Sequence, residues 1–346
     1  MKKYITFFVV LLISTISMSC YIDLNEKKDY NSKQKNIAAA KTNEITVLNN
    51  ELNYIKNKQI PFIDKYLDNI SFDDKISLIN SYISSNDLEN AISSLNDLKS
   101  SITANINIIK SNFTNSLNKI ITNANGLTDD YLEKQIDETK NLINIGDFDK
   151  IANKLSIISY KINNLLYANG QVSTIEPLIL EDTIIANKNF GLPINYGDGL
   201  KQELIDAFNK MSEDAKKSGL NLYIASGYRD YYKQQQFFDS YTSTSGEEAS
   251  RFSSPAGYSE HQTGLAIDIG GSNTSVWVTD DFYNTPEYEW LKDNCYKYGF
   301  IIRYPQNKED ITGYMFEPWH YRYVGTKLST YLTEHNLTLE EYFDLD

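Results

Sequence analysis

The sequence predicts a helical N-terminal region followed by a region that contains β-strands. Apolar residues between positions 21 and 170 recur at the three- to four-residue spacing that places them on one face of a helix. The second half instead contains two segments, the apolar 265–269 and the apolar and aromatic 317–323, whose composition is typical of strands. The composition changes near residue 170, between these two regions. All the Arg, His and Trp residues follow it.

Length and composition limit the possible classes of protein. The chain has 346 residues, enough for about two domains. With 41% hydrophobic and 23% charged residues it is typical of globular proteins. The net charge of −13 has the wrong sign for a protein that binds nucleic acid through its phosphates, so we expect no nucleic-acid partner. Two cysteines, Cys20 and Cys295, do not suggest a disulfide framework.

Residues 1–19 are typical of a signal peptide. Two lysines precede an apolar stretch, which ends in the small residues around Ser17 and Ser19. The apolar stretch is shorter than the roughly 20 residues that a membrane-spanning helix needs. We therefore expect the protein to be exported.

Cys20 directly follows the small residues, in an arrangement that resembles a bacterial lipoprotein cleavage box. Ser17 stands where that box usually has Leu. We expect Cys20 to be lipidated and to anchor the protein to a membrane, with acyl chains providing stable attachment in the cell envelope or periplasm. Ordinary cleavage after Ser19 is the alternative.

Two domains are expected after the signal peptide. Residues 21–170 contain apparent helix breaks at Asn86-Asp87 and Gly146-Asp147, and we predict a helical bundle or a stalk. This region could be a spacer, a partner-binding bundle or a bundle that only buries its own apolar residues. Residues 171–346 hold all three histidines, and we expect the chemistry there.

His261, Asp268 and His320 are candidate metal ligands. A carboxylate inside the apolar segment 265–269 requires a cation, a metal ion or several hydrogen-bond donors. Two imidazoles and one carboxylate form a ligand set suited to catalytic Zn²⁺. Glu317 precedes His320 by three residues and could act as a general base on a water molecule. From these residues alone, a core histidine and a salt-bridged aspartate remain an alternative.

Together with the segment Ser-Gly-Tyr-Arg at 226–229, these motifs resemble the D-alanyl-D-alanine carboxypeptidases of the vancomycin-resistance (VanY) type and their L,D-carboxypeptidase relatives. The resemblance extends from about residue 185 to 325. It is carried by four ordered blocks: SGYRDYYKQ (226–234), PAGYSEHQTGLAIDIGG (255–271), EYEWLKDNCYKYGFIIRYP (287–305) and TGYMFEPWHYRYVG (312–325).

The resemblance implies a compact α+β domain, with an antiparallel sheet flanked by helices and zinc at the face of the sheet. It assigns His261, Asp268 and His320 as zinc ligands and Glu317 as the general base.

The resemblance also implies residues that contact the substrate. Arg229 would polarise the scissile carbonyl or bind a substrate carboxylate, tasks that suit a guanidinium group. Gln234 is assigned to substrate contact or support. Ser259 is assigned to substrate binding and to orienting the ligands.

The expected function is that of an exported zinc carboxypeptidase that removes the C-terminal D-alanine from peptidoglycan stem peptides. The motifs do not separate this activity from L,D-carboxypeptidase action on tetrapeptide stems. A wall-binding lipoprotein without catalytic turnover is an alternative from a different class.

Overall fold

A computed structural model gives the backbone of residues 2–345 and the side chains of residues 26–345. The predicted signal peptide, residues 1–19, and the Cys20 side chain lie outside the residues described with side chains. In the described part of the chain, no helix is long and apolar enough to cross a membrane. The chain divides into two compact units, Met1–Asn112 and Phe113–Asp346.

The first unit consists of helices around an aliphatic core. Its helices are α1 (Lys2–Tyr54), α2 (Ile60–Tyr66), α3 (Asp73–Ser84) and the first part of α4 (Leu88–Asn123). A short π-helical turn, Ile55–Gln59, joins α1 to α2, and Pro61 occupies the first turn of α2. Ile63, Ile79 and Leu98 are fully buried within this unit.

The second unit combines helices with two antiparallel sheets. Its helices are the last part of α4, α5 (Asp130–Ile145), α6 (Ile151–Ala168), α7 (Gln202–Lys217), α8 (Tyr231–Ser245), α9 (Pro286–Asn294), α10 (Glu309–Thr312), α11 (Thr326–His335) and α12 (Leu339–Phe343). Its strands are β1 (Leu178–Leu180), β2 (Thr183–Ile185), β3 (Tyr223–Ser226), β4 (Ala266–Gly270), β5 (Phe300–Ile302) and β6 (His320–Tyr323). The predicted α+β class, with helices first, is confirmed.

The predicted helix breaks lie between helices. Helix α3 ends at Ser84, and Asn86 has a positive φ of 60° before α4 begins at Leu88. Gly146 ends α5 in the left-handed conformation, with φ 82°. Glycine adopts this conformation without the steric cost that a Cβ atom imposes.

Strands β1 and β2 form a hairpin, and the other four form an antiparallel sheet in the order β3-β4-β6-β5. The predicted apolar strand segments correspond to β4 and β6. In their register, Asp268 lies directly opposite His320. Because side chains alternate between the two faces of a strand, Ile267, Ile269 and Tyr321 point to the other face.

The face of the sheet that carries Ile267, Ile269 and Tyr321 is covered by apolar side chains. Helix α7 contributes Leu204 and Met211, both fully buried. Further members of this cluster are Phe208, Ala215, Leu222, Phe282, Tyr288, Leu291, Cys295, Phe300 and Trp319. Burial raises the pKa of the Cys295 thiol to about 12, so this cysteine is a buried apolar group. The core thereby fixes β4 and β6 and leaves their other face to polar residues.

Helices α5 and α6 belong to the same compact unit as the sheets, although they precede the compositional break near residue 170. The boundary between the compact units lies inside α4 instead. The Tyr160 hydroxyl of α6 donates to the Gly191 carbonyl at 3.0 Å and accepts from the Gly191 N–H at 2.6 Å. Tyr160 also packs in an apolar cluster with residues of β1, β2 and α12. These contacts attach α6 to the part of the unit that contains the sheets.

Replacing Tyr160 by Phe should destabilise the second unit. The substitution keeps the ring but leaves the buried Gly191 N–H and carbonyl without the hydroxyl, at a cost of about 1–3 kcal/mol in the free energy of unfolding. Denaturant unfolding followed by circular dichroism measures this loss. Tyr167→Phe is the matched control, because Tyr167 is in the same helix and is 50% exposed. Equal unfolding midpoints for Tyr160→Phe and Tyr167→Phe would contradict the assignment.

Candidate metal and catalytic site

A cavity of about 410 Å³ lies on the polar face of the four-stranded sheet. Asp268 of β4 and His320 of β6 reach it from the sheet, and His261 reaches it from a 3-10 turn, Glu260–Thr263, that precedes β4. Glu317 lies in the same cavity, just before β6. The structure thus brings together four residues that the motifs singled out.

The three candidate ligands form one compact cluster. Their donor atoms all lie within 4.8 Å of one another. His320 Nδ1 is 3.0 Å from Asp268 Oδ1, and His261 Nε2 is 3.4 Å from the same oxygen. The three side chains are almost completely buried. A divalent ion could therefore contact all three with little movement.

Hydrogen bonds orient both imidazole rings. His261 Nδ1 lies 2.6 Å from the Gly227 carbonyl, which can only accept, so this nitrogen carries the proton. The other ring nitrogen, Nε2, is buried and has no hydrogen-bond partner among the described residues. His320 Nε2 faces Glu260 at 3.4 Å, which leaves Nδ1 toward Asp268. The buried, unpartnered Nε2 atom and the neighbouring carboxylate together offer ligand atoms that a transition-metal ion would bind.

The electrostatic surroundings of the two histidines differ. Burial, assisted by the nearby Arg229 charge, lowers the pKa of His261 to about 4, so this ring is neutral at pH 7. Burial also acts to lower the pKa of His320, but hydrogen bonds to Asp268 and Glu260 outweigh it and raise the value to about 9. The field at His320 therefore favours a positive charge, which a bound cation would also supply.

Glu317 is 5% exposed, and its Oε2 lies 3.9 Å from His320 Nδ1. Burial raises the pKa of Glu317 to about 8, and the neighbouring Asp268 adds to this effect while His320 and Arg229 oppose it. A divalent ion at the cluster would lower this pKa by favouring the carboxylate. Such a carboxyl group is suited to accept and return a proton near neutral pH.

The residues assigned to substrate contact line the same cavity. The Nε atom of Arg229 is buried without a hydrogen-bond partner among the described residues. Gln234, in α8, donates from Nε2 to the Ser254 carbonyl at 2.7 Å, while its Oε1 has no partner in the described part of the chain. Ser259 lies on the cavity wall next to the turn that carries His261. Their substrate roles remain predictions.

A buried network of charged residues beneath the site was not predicted. Glu260 accepts hydrogen bonds from Arg303 Nε at 2.8 Å and from Arg322 Nη1 at 3.0 Å. Burial acts to raise the pKa of Glu260, but the two arginines hold it well below its usual range. Glu340 accepts from both terminal nitrogens of Arg303. Glu260, Arg303 and Arg322 lie within the motif blocks. For Arg303 and Arg322, a charge within an apolar or aromatic segment was the available signal.

Tyr304 and Tyr314 also contribute to the cavity and were not predicted. The Tyr304 ring stacks on His320 with a centroid distance of 5.0 Å, and Tyr314 lies 4.5 Å from Tyr304. The Tyr314 hydroxyl shares a hydrogen bond of 2.5 Å with Ser254 Oγ. These rings restrict the position of His320 from the cavity side.

Comparison with known proteins assigns the chain to a family. The family model described as VanY, D-alanyl-D-alanine carboxypeptidase, matches residues 197–326. YodJ of Bacillus subtilis (strain 168), a carboxypeptidase by name, is 39% identical over 213 residues, and the match covers 55% of this chain and 77% of YodJ. The chain belongs to the VanY family. The family predicted from the motifs is confirmed, and with it the enzyme class, a carboxypeptidase.

Two further proteins are similar over smaller parts of this chain. The D-alanyl-D-alanine carboxypeptidase of Enterococcus faecium is 37% identical over 187 residues, covering 52% of this chain and 57% of the enterococcal protein. Among solved structures, the vancomycin-resistance D,D-pentapeptidase VanY in complex with Zn(II) is 32% identical, with a TM-score of 0.41. That match covers 46% of this chain and 97% of the other.

The cluster should bind one zinc ion per chain. Replacing His261 or His320 by Ala removes one of three ligands, so metal content after dialysis should fall well below one equivalent. His335→Ala is the matched control, because His335 is exposed at the end of α11. Inductively coupled plasma mass spectrometry measures the content. Full zinc content in His261→Ala and His320→Ala would contradict the assignment.

Proposed function

We propose that this VanY-family protein is a zinc-dependent carboxypeptidase that hydrolyses the bond before the C-terminal D-alanine of peptidoglycan stem peptides. The observation that supports this most strongly is that His261, Asp268 and His320 each place a ligand atom within 4.8 Å of the others. Arg229 and Glu317 line the same cavity. The cavity therefore combines three candidate metal ligands, the titratable carboxyl group of Glu317, and the cationic side chain of Arg229, which could contact a peptide substrate.

His261, Asp268 and His320 would hold the zinc. Zn²⁺ bound there would supply Lewis acidity, which polarises a carbonyl group and lowers the pKa of water toward ~7. The Gly227 carbonyl keeps the proton on Nδ1 of His261 and so keeps Nε2 free for the metal.

Glu317 would act as the general base and then the general acid. Its carboxylate removes a proton from the attacking water and gives this proton to the leaving amine nitrogen. Its position 3.9 Å from His320 Nδ1 places it beside the metal ligands without making it the nearest carboxylate, since Asp268 is closer at 3.0 Å.

Arg229 would bind the substrate. A free C-terminal carboxylate distinguishes a carboxypeptidase substrate from an internal peptide bond, and a guanidinium group matches carboxylate geometry. The Nε atom of Arg229, buried without a partner among the described residues, is available for such a contact.

The decisive assay is mass spectrometry of muropeptides incubated with the protein. We expect pentapeptide stems to lose one D-alanine, and a chelator to prevent the loss. Shortening of tetrapeptide stems instead would indicate the L,D-carboxypeptidase alternative. If neither stem is shortened, the proposal is contradicted and the wall-binding alternative is favoured.

In the same assay, Glu317→Gln should lower the rate about 10²- to 10⁴-fold, because an amide cannot act as a general base. Zinc content should stay at the wild-type level, since Glu317 is not one of the proposed ligands. Glu309→Gln is the control, because Glu309 pairs with Arg251 at the surface. A Glu317→Gln variant with wild-type turnover would require a different base.

We further propose that the enzyme acts outside the cytoplasm and is attached to a membrane through lipidated Cys20. This location would bring the enzyme to peptidoglycan. Metabolic labelling with a fatty acid should mark the wild-type protein and leave Cys20→Ala unmarked. Equal labelling of both would contradict the anchor.

A further inference from the structure

We propose that Glu260 is a positioning residue for the metal site and that the C-terminal helix α12 takes part in this positioning through Glu340 and Arg303. The inference rests on the proposed zinc site. It assigns a role in metal binding to residues that do not contact the metal and, in Glu340, to one that lies beyond the family match at 197–326.

The first step concerns the His320 ring. Glu260 Oε2 lies 3.4 Å from His320 Nε2. The other oxygen, Oε1, accepts from Arg303 and Arg322, so Glu260 is held as a carboxylate and can only accept from the ring. Nε2 therefore keeps its proton, and when the ring loses its other proton to bind a metal ion, the lone pair forms on Nδ1, which faces Asp268. Carboxylates that accept from the second nitrogen of a histidine ligand fix its tautomer and orientation.

The second step concerns Arg303, which follows β5. Its backbone N–H donates to the His320 carbonyl at 3.1 Å, and its Nε donates to Glu260. Arg303 therefore holds His320 through the backbone and, by way of Glu260, through the ring. It is 1% exposed, so its guanidinium group cannot be solvated by bulk water and depends on these partners.

The third step brings in α12. Glu340 accepts from Arg303 Nη1 at 2.8 Å and from Nη2 at 2.5 Å, a two-point contact that fixes the guanidinium plane. Asn187 Nδ2 donates to Glu340 at 3.0 Å and holds the carboxylate in place. A continuous buried path thus runs from α12 through Arg303 and Glu260 to His320.

Glu260→Gln tests the first step. The amide keeps the shape of the carboxylate, but if its oxygen stays on the two arginines, its NH₂ group must face His320 Nε2. The ring would then have to accept at Nε2 and carry its proton on Nδ1, the nitrogen needed for the metal. We expect zinc affinity to fall about 10- to 100-fold.

Glu340→Gln tests the third step, and Glu341→Gln is its matched control. Glu341 is the next residue in α12, and it pairs with Lys308 and accepts from the Thr338 N–H, a capping contact that Gln can keep. We expect a smaller loss of zinc affinity for Glu340→Gln and none for Glu341→Gln. Because Glu340 acts through Glu260, Glu340→Gln should have no further effect in the Glu260→Gln background.

The measurement is the zinc dissociation constant of the full chain, by competition with a chromophoric chelator well below the unfolding temperature. The visible spectrum of the Co²⁺-substituted protein reports ligand geometry, and the unfolding temperature is recorded in parallel. We expect weaker zinc binding and altered Co²⁺ bands in Glu260→Gln. A lower unfolding temperature with unchanged zinc affinity and Co²⁺ bands would overturn the proposal, because it would show a purely structural role.

The zinc affinities of the wild type and the variants separate a missing positioning role from a missing zinc site. If the wild type binds no zinc, the proposed function fails. If the wild type binds zinc and Glu260→Gln binds it equally well, only the positioning role is overturned. If Glu260→Gln does not fold, Glu340→Gln decides, and wild-type zinc affinity there, or an equal loss in Glu341→Gln, overturns the role of α12.

Discussion

The antiparallel register of β4 and β6 is the constraint on which the site depends. It places Asp268 directly opposite His320, on the face of the sheet away from the apolar core. Because side chains alternate, a slip of one residue in β4 would turn Asp268 into the core and Ile267 into the cavity. Burial of Ile267, Ile269 and Tyr321 therefore selects the register that brings the candidate ligands together. Fold stability and chemistry are coupled through the same two strands.

The charged groups at the polar face of the sheet are paired. Two arginines and two glutamates lie almost fully buried beneath the site: Glu260, Arg303, Arg322 and Glu340. Breaking a buried pair by removing one partner typically costs about 3–5 kcal/mol, whereas a complete network adds little net stability. This network includes a hydrogen-bond partner of His320, so its charges also define the environment of a candidate metal ligand. This contact favours a role of the network in positioning His320 over a role in stability alone.

The sequence predicted the local features and, through its motifs, which residues come together at the candidate site, but it missed other long-range contacts. Helices and strands follow from apolar spacing, and Gly146 marks a helix end by its conformational freedom. Asp268 was noticeable because a carboxylate in an apolar strand requires a partner. By contrast, Glu340 pairs with Arg303 across 37 positions, and no local pattern specifies such a pair. The attachment of α6 to the sheet-containing unit through Tyr160 and Gly191 was also missed, because no local pattern specifies this contact. The composition changes only near residue 170, after α6 has ended.

We propose that one divalent ion is bound by His261 Nε2, Asp268 and His320 Nδ1 at the face of the sheet. Anomalous diffraction from crystals of the protein, recorded on both sides of the zinc absorption edge, tests this proposal. We predict a single strong difference peak at bonding distance from these three side chains, about 2.0–2.2 Å. A peak bound by other residues, or no peak in zinc-loaded crystals, would contradict it.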